Sequence, residues 1–138
     1  MVHGKWMFYT DKLDDVKTVL SQVTGEEVVL TDEYIYGFNI VVYEGEIPVC
    51  CGRLNMKEDV FVIGRLCTVP EKRGMAFADL ALRMMVRKAF DMGAEKVKAT
   101  MPKDACTYFE RLGFRDTEFD GETAIMTKYE DVGGCCKI

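Results

Sequence analysis

Apolar residues recur along this chain in two rhythms, one near 3.6 residues and one of two, and the switches between them mark its elements. Residues 6–9 read as a short first strand. Leu13, Val16, Leu20 and Val23 then fall on one helical face, with Thr10 placed to cap the helix and Gly25 to stop it. Phe38 to Tyr43 and Ile47 to Leu54 read as strands joined by the turn Glu44-Gly45-Glu46, with Pro48 marking an entry or an edge. Asn55 to Asp59 makes a polar turn into a buried strand at 60–68, and residues 77–92 carry a long apolar-rich helical run that ends near Gly93. Lys96 to Met101 reads as strand until Pro102 breaks it. Asp104 is placed to cap a short helix to Leu112, with Gly113 at its C′ position. Phe114 to Phe119 and Glu122 to Tyr129 form a hairpin across Asp120-Gly121. Residues 26–37 fit neither rhythm: Val28-Val29-Leu30 reads as strand or helix, and Tyr34 to Gly37 as loop.

Strands, helix, strand, helix and hairpin in this order predict an α/β sandwich around a mixed sheet. A chain of 138 residues builds one core of real size and is too short for two ordinary domains. We expect a single domain over 1–129 and a tail over 130–138 that carries Cys135 and Cys136. The net charge of −5, with acidic and basic residues interspersed, argues against nucleic-acid binding through a broad basic face. The longest apolar runs are strand-sized and the start has no charged stub before a hydrophobic core, so we expect no membrane contact and a cytoplasmic protein. The six cysteines lie partly inside expected strands and helices, which reads as reduced thiols. There is no Cys-x-x-Cys pair and His3 is the only histidine, so no metal site is expected.

The most informative stretch joins the buried strand to the long helix: Val69-Pro70-Glu71-Lys72-Arg73-Gly74-Met75-Ala76-Phe77-Ala78. Gly74, Ala76 and Ala78 keep side chains small where a first helical turn exposes unpaired N–H groups. Those donors and the positive end of the helix dipole attract phosphate oxygens, and Lys72 and Arg73 add full charge beside them. Neither a P-loop ending nor a three-glycine dinucleotide fingerprint is present. The stretch Arg73-Gly74-Met75-Ala76-Phe77-Ala78 resembles the signature of the GNAT superfamily of acyl-CoA N-acyltransferases, with Ala76 in a Gly position. Further on, Ala105-Cys106-Thr107-Tyr108-Phe109-Glu110-Arg111-Leu112-Gly113-Phe114 resembles a second segment of that family. Order and spacing agree over roughly residues 38–129.

The resemblance implies a GNAT-like α/β/α sandwich whose mixed, mostly antiparallel sheet splays between two parallel strands, leaving a wedge for a pantetheine arm. It implies acetyl-CoA as co-substrate, transfer of its acyl group to a primary amine of a small molecule or peptide by direct attack, and an association of two copies as in related proteins. On the family pattern the backbone of Leu66, Cys67 and Thr68 pairs with the pantetheine amides, residues 73–78 hold the pyrophosphate, and a main-chain N–H near Thr68 serves as oxyanion donor. The chain departs from its relatives at Phe109, where many carry the tyrosine that protonates the leaving thiolate, and at Pro102, near a frequent cofactor-binding asparagine. Tyr108 is adjacent but about 100° away around a helix, so it substitutes only if that helix is turned; the other reading is a core aromatic. A thiol of pKa about 8.5 leaves with little help near neutral pH, so the missing acid need not abolish turnover. No base is evident. Glu58 and Asp59 stand at the start of the buried strand, and Glu33, Tyr34 and Tyr36 come from the unassigned segment. Cys67 reads as a small buried residue, because no histidine is at hand to activate it. The departures keep a second reading open, a CoA-binding sensor or assembly module with little turnover. The identity of the acceptor amine is not written in these motifs.

Overall fold

The computed structural model describes residues 1–7 and 13–130, apart from the side chain of Glu33. One seven-stranded sheet runs through the molecule: β1 (Val2–Met7), β2 (Phe38–Glu44), β3 (Ile47–Lys57), β4 (Val60–Thr68), β5 (Lys96–Pro102), β6 (Arg115–Asp120) and β7 (Thr123–Tyr129). Its spatial order is β1-β2-β3-β4-β5-β7-β6, antiparallel everywhere except between β4 and β5. The helices are α1 (Asp14–Thr24), α2 (Asp32–Ile35), α3 (Phe77–Asp91) and α4 (Cys106–Arg111), with short 3₁₀ turns at Pro70–Lys72 and Lys103–Ala105.

Strand β4 leads through α3 back into β5, a crossover that makes the one parallel pair. Helix α3 buries Phe77, Ala81, Leu82, Met85 and Ala89 on the stripe expected of a 3.6-residue period. It packs closely because Gly52 has no side chain: a Cβ there would stand 2.6 Å from the Met85 methyl. Cys51 and Arg53 alternate to the opposite face, where Tyr34 of α2 lies over Arg53 and Tyr43 donates to Asp15 of α1 at 2.5 Å. Both faces of the central strands are thus covered, and Ile40, Val41, Val42, Leu54 and Ile63 are fully buried between the helix layers.

Several element ends differ from the expectations. The first strand is Val2–Met7, and α1 starts at Asp14 with Leu13 at its cap position and no side-chain cap; Thr10 lies outside the described residues. Gly25 does end α1, in the left-handed region, its N–H bonded to Ser21 O at 2.8 Å. Asn55 to Lys57 belong to β3, and the turn into β4 is only Glu58-Asp59, both at positive φ, the geometry of a two-residue hairpin. Asp104 makes no capping hydrogen bond; it sits within the 3₁₀ turn that precedes α4. The tail thiols Cys135 and Cys136 lie outside the described residues.

Candidate active site

The parallel pair β4–β5 is short. Only Phe61–Val97, Val62–Lys98 and Ile63–Ala99 are in register, while β5 stays paired with β7 along its full length to Pro102–Thr123. Past Ile63 and Ala99 the two strands part, so Gly64 to Thr68 and Thr100 to Pro102 face each other across a gap. A bulge reinforces the divergence: the β3 register jumps from Cys51–Cys67 to Arg53–Gly64, and Arg65 takes φ +55 in the left-handed region.

The gap holds a cavity of about 610 Å3 whose walls include Leu66, Cys67, Met101, Pro102, Tyr108 and Phe109. It adjoins a second cavity of about 570 Å3 at the start of α3, and Leu66, Cys67, Ala78 and Tyr108 line both. All the residues singled out for donor binding line that second cavity except Met75: Leu66, Cys67, Thr68, Lys72, Arg73, Gly74, Ala76, Phe77 and Ala78, together with Tyr108. Met75 is 51% exposed and points elsewhere.

At the head of α3 the chain reverses twice, through Gly74 at φ +80 and Ala76 at φ +66. Ala76 is the cap residue and offers no side-chain acceptor, and the first main-chain bond of the helix is Leu80 N–H to Ala76 O at 3.2 Å. The N–H groups of Phe77, Ala78 and Asp79 therefore have no intrahelical acceptor and face an open cavity. Such a concave set of donors at a helix head suits an anion. The two cations beside it differ. Lys72 pairs with Glu44 of β2 at 2.5 Å, whereas Arg73 makes no ion pair among the described residues and its Nε donates to Thr68 O at 3.3 Å. Phe77 contributes only main chain, since its ring is 4% exposed and belongs to the core.

Tyr108 lines both cavities, and Phe109 lines the gap beside it. Its hydroxyl donates to the Asp79 carboxylate in the first turn of α3. Burial first, then that hydrogen bond and the carboxylate's charge, hold its pKa well above the usual tyrosine range, so the group keeps its proton. Phe109 is a wall of the gap, 5% exposed, its ring edge-on to Phe114 at 5.3 Å. Pro102 also lines the gap and offers no N–H or polar side chain. Cys67 is half-buried in the same wall, and burial pushes its thiol pKa up, away from nucleophilic use. Val69 N–H is bonded to Val49 O at 2.9 Å, which removes it as an oxyanion donor.

Of the candidate bases, Glu58 and Asp59 occupy the hairpin turn at the closed end of the sheet. Asp59 is seven residues from Leu66 along β4, about 23 Å of extended chain, and takes no part in the gap. Tyr36 is 77% exposed and lines none of these cavities. Tyr34 is buried under Arg53 on the far face. Two residues escaped notice in the sequence: Glu122, the only carboxylate among the described residues that line the gap, and Arg65 at the bulge. Glu122 carried one signal, its place next to Asp120-Gly121; the structure puts it in the two-residue turn Gly121-Glu122, where its carbonyl accepts from Lys103 N–H after the end of β5. Arg65 carried none, because an arginine in a buried apolar run gives no hint of a bulge.

Residues 7–114 match the model of the acetyltransferase (GNAT) family. A stretch of 77 residues, 56% of this chain, is 29% identical to the Bacillus subtilis (strain 168) protein named "Uncharacterized N-acetyltransferase YjcF" and spans 55% of that protein, about half its length. Among solved structures, an acyl-CoA N-acyltransferase from Pseudomonas aeruginosa superposes with a TM-score of 0.79 at 14% identity, over 93% of this chain and 99% of its own. The PaiA N-acetyltransferase of Thermoplasma acidophilum, solved in complex with coenzyme A, gives 0.72 at 13% identity, over 94% and 99%. At such identities the two structures establish a shared fold.

Proposed function

Because this chain belongs to the acetyltransferase (GNAT) family, we propose that it transfers an acetyl group from acetyl-CoA to a primary amine by direct attack, the pyrophosphate seated on the head of α3 and the pantetheine arm in the gap between β4 and β5. One observation carries this reading: the cavity between the two diverging parallel strands adjoins the one at the uncapped helix head, with Leu66, Cys67, Ala78 and Tyr108 lining both. When bound, the donor supplies a thioester whose carbonyl carbon the free amine attacks, forming a C–N bond while the C–S bond breaks; CoA leaves as a thiolate and the proton lost by the nitrogen passes to water.

The chain's own residues do the rest. The helix-head N–H groups and Arg73 fix the anionic end of the donor. The unpaired edge of Leu66 to Thr68 offers main-chain groups to the amides of the arm, as a short added strand does. Tyr108, protonated and lining the gap, donates its one O–H to Asp79, and it serves the leaving thiolate as hydrogen-bond donor by turning that O–H from Asp79 toward the sulfur. Glu122 also lines the gap, where its carboxylate attracts the acceptor's ammonium before that group gives its proton to water. A CoA-binding module without turnover is the less favoured reading, since Phe109 does not leave the gap without a hydroxyl group.

Isothermal titration of the purified protein with CoA tests the seating. The unmodified chain binds, and Arg73→Glu weakens binding by about 100-fold or more, because it places an anion against the pyrophosphate. Heat-free titrations of the unmodified chain would sink the proposal.

A further inference from the structure

Between α3, the end of α4 and β7 lies a cavity of about 560 Å3 that shares no lining residue with the gap or the helix head among the described residues. Its wall begins at Leu82, six residues and about 9 Å along α3 from the Ala76 cap. The floor is an apolar row. Leu82, Val86 and Phe90 follow one another at intervals of four on one face of α3, over about 12 Å, and Leu112 and Phe114 line the other side. Leu82 and Phe114 are buried, whereas Val86, Phe90 and Leu112 are only partly so and present the apolar surface.

The charged side chains of this lining are all cations: Arg83, Arg87, Arg111 and Lys128, with no carboxylate among the described residues. Arg87 has its counter-charge on its own helix, Asp91 at 3.1 Å. The side chains of Arg83 and Arg111 make no ion pair or hydrogen bond among the described residues. Lys128 points most directly to a ligand. It shares its face of β7 with Ala124 and Met126, both fully buried, so the strand carries an ammonium where its pattern calls for an apolar side chain. Leu112 O accepts one of its three N–H groups at 2.7 Å, and Gly113 leaves the ammonium its place, where a Cβ would collide with it. That carbonyl is its one acceptor among the described residues, and Arg111 stands next to Leu112 in the chain. A half-buried ammonium without a counter-ion favours an incoming anion.

We propose that this cavity binds a single-chain amphiphilic carboxylate, a fatty acid of medium length, with its carboxylate on Lys128 and Arg111 and its chain along Leu82, Val86 and Phe90. Two complementarities identify the occupant. Cations without a matching carboxylate select an anion, and a continuous apolar row selects a chain. The volume is that of a small-molecule pocket. The proposal is independent of the transferase reading.

Calorimetric titration of the full chain with decanoate, below its micelle concentration, tests this. Decanol is the neutral control, decylamine the cation, and acetate the carboxylate without a chain. Decanoate binds about tenfold or more tightly than each control. Lys128→Met and Arg111→Gln each weaken decanoate binding by about tenfold or more, and their urea midpoints report that the variants are folded. Saturating CoA leaves the decanoate affinity within twofold. No binding of decanoate, equal binding of decanol, or undiminished binding in both folded variants would overturn the proposal. Displacement of decanoate by CoA would overturn it too, by making the cavity part of the donor's site. A synthetic acidic helical peptide with leucines on one face is the remaining arm: tighter binding than decanoate, lost in the same two variants, would assign the cavity to a protein partner instead.

Discussion

Tyr108 and Asp79 make a side-chain hydrogen bond in the wall of the helix-head cavity, and it pulls in two directions. The carboxylate keeps the hydroxyl protonated but holds its one proton, so donation to a leaving thiolate requires that bond to be exchanged. The same carboxylate is an anion beside a site for pyrophosphate, so the phenol also serves to cover a charge that would repel the donor. Tyr108→Phe removes both services. We expect kcat to fall by about tenfold to a hundredfold, the range below full general-acid catalysis that a good leaving group implies, and the acetyl-CoA KM to rise. The double variant Tyr108→Phe with Asp79→Asn separates the two: the KM returns toward the starting value while kcat stays low. Steady-state kinetics with varied acetyl-CoA measure both, and a kcat unchanged in Tyr108→Phe would leave the tyrosine as packing alone.

The turn between β4 and α3 shows at the level of elements how a small residue can be chosen against its own backbone preference. Ala76 caps α3 at φ +66, where an L side chain is strained, and alanine is a poor capping residue. Ala76→Gly therefore stabilises the fold by roughly 0.5–1 kcal/mol and leaves CoA affinity intact. Ala76→Val destabilises by more than about 1 kcal/mol and crowds the helix-head donors. Urea midpoints and CoA titrations of the two variants check this, and equal CoA binding by both would argue against phosphates at this turn. Most elements were legible in the sequence because periodicity and punctuation agreed: β4 begins and ends at the predicted residues, α3 ends within one residue, and the β6–β7 hairpin turns one residue later than expected, at Gly121-Glu122. The segment from 26 to 37 was not legible, since its four-residue helix α2 is too short to show a period and owes its place to Asn39 and Arg53 from the sheet. The donor half of the site was legible for a related reason: it is contiguous in sequence, a strand, a turn and a helix. The rest of the gap's lining is not contiguous: Arg65, Thr100 and Glu122 come from two strands and a turn, and no local pattern announces such a convergence.

For the molecule as a whole, the buried thiols and phenols tie stability to pH. Burial pushes the Cys50 thiol from 9.0 up to about 11, against a small opposing effect of the Thr68 hydroxyl, and it raises Cys51, Cys67, Tyr34, Tyr43 and Tyr108 as well. In every case the folded chain keeps a proton that the unfolded chain gives up sooner. Between about pH 9 and 11 the unfolded state thus binds fewer protons than the native state, and the linkage relation makes stability fall as pH rises through that interval. The contribution is fully present below the unfolded pKa values and lost above the folded ones; for Cys50 alone it is on the order of 2 kcal/mol. Urea midpoints should hold steady from pH 7 to about 8.5 and decline from pH 9 to 11, and Cys50→Ala should flatten that decline whatever it costs in packing at neutral pH. The same thiols line or back the donor passage, Cys67 in its wall and Cys50 behind Thr68, so a native-only ligand in the passage opposes the alkaline loss. CoA at about 100 times its dissociation constant adds about 2.7 kcal/mol, enough to offset the Cys50 contribution at pH 10. A midpoint that stays flat across pH 9–11 without ligand would mean that the thiols reach water in the native state, and the tight β3–β4 seam drawn here would have to open.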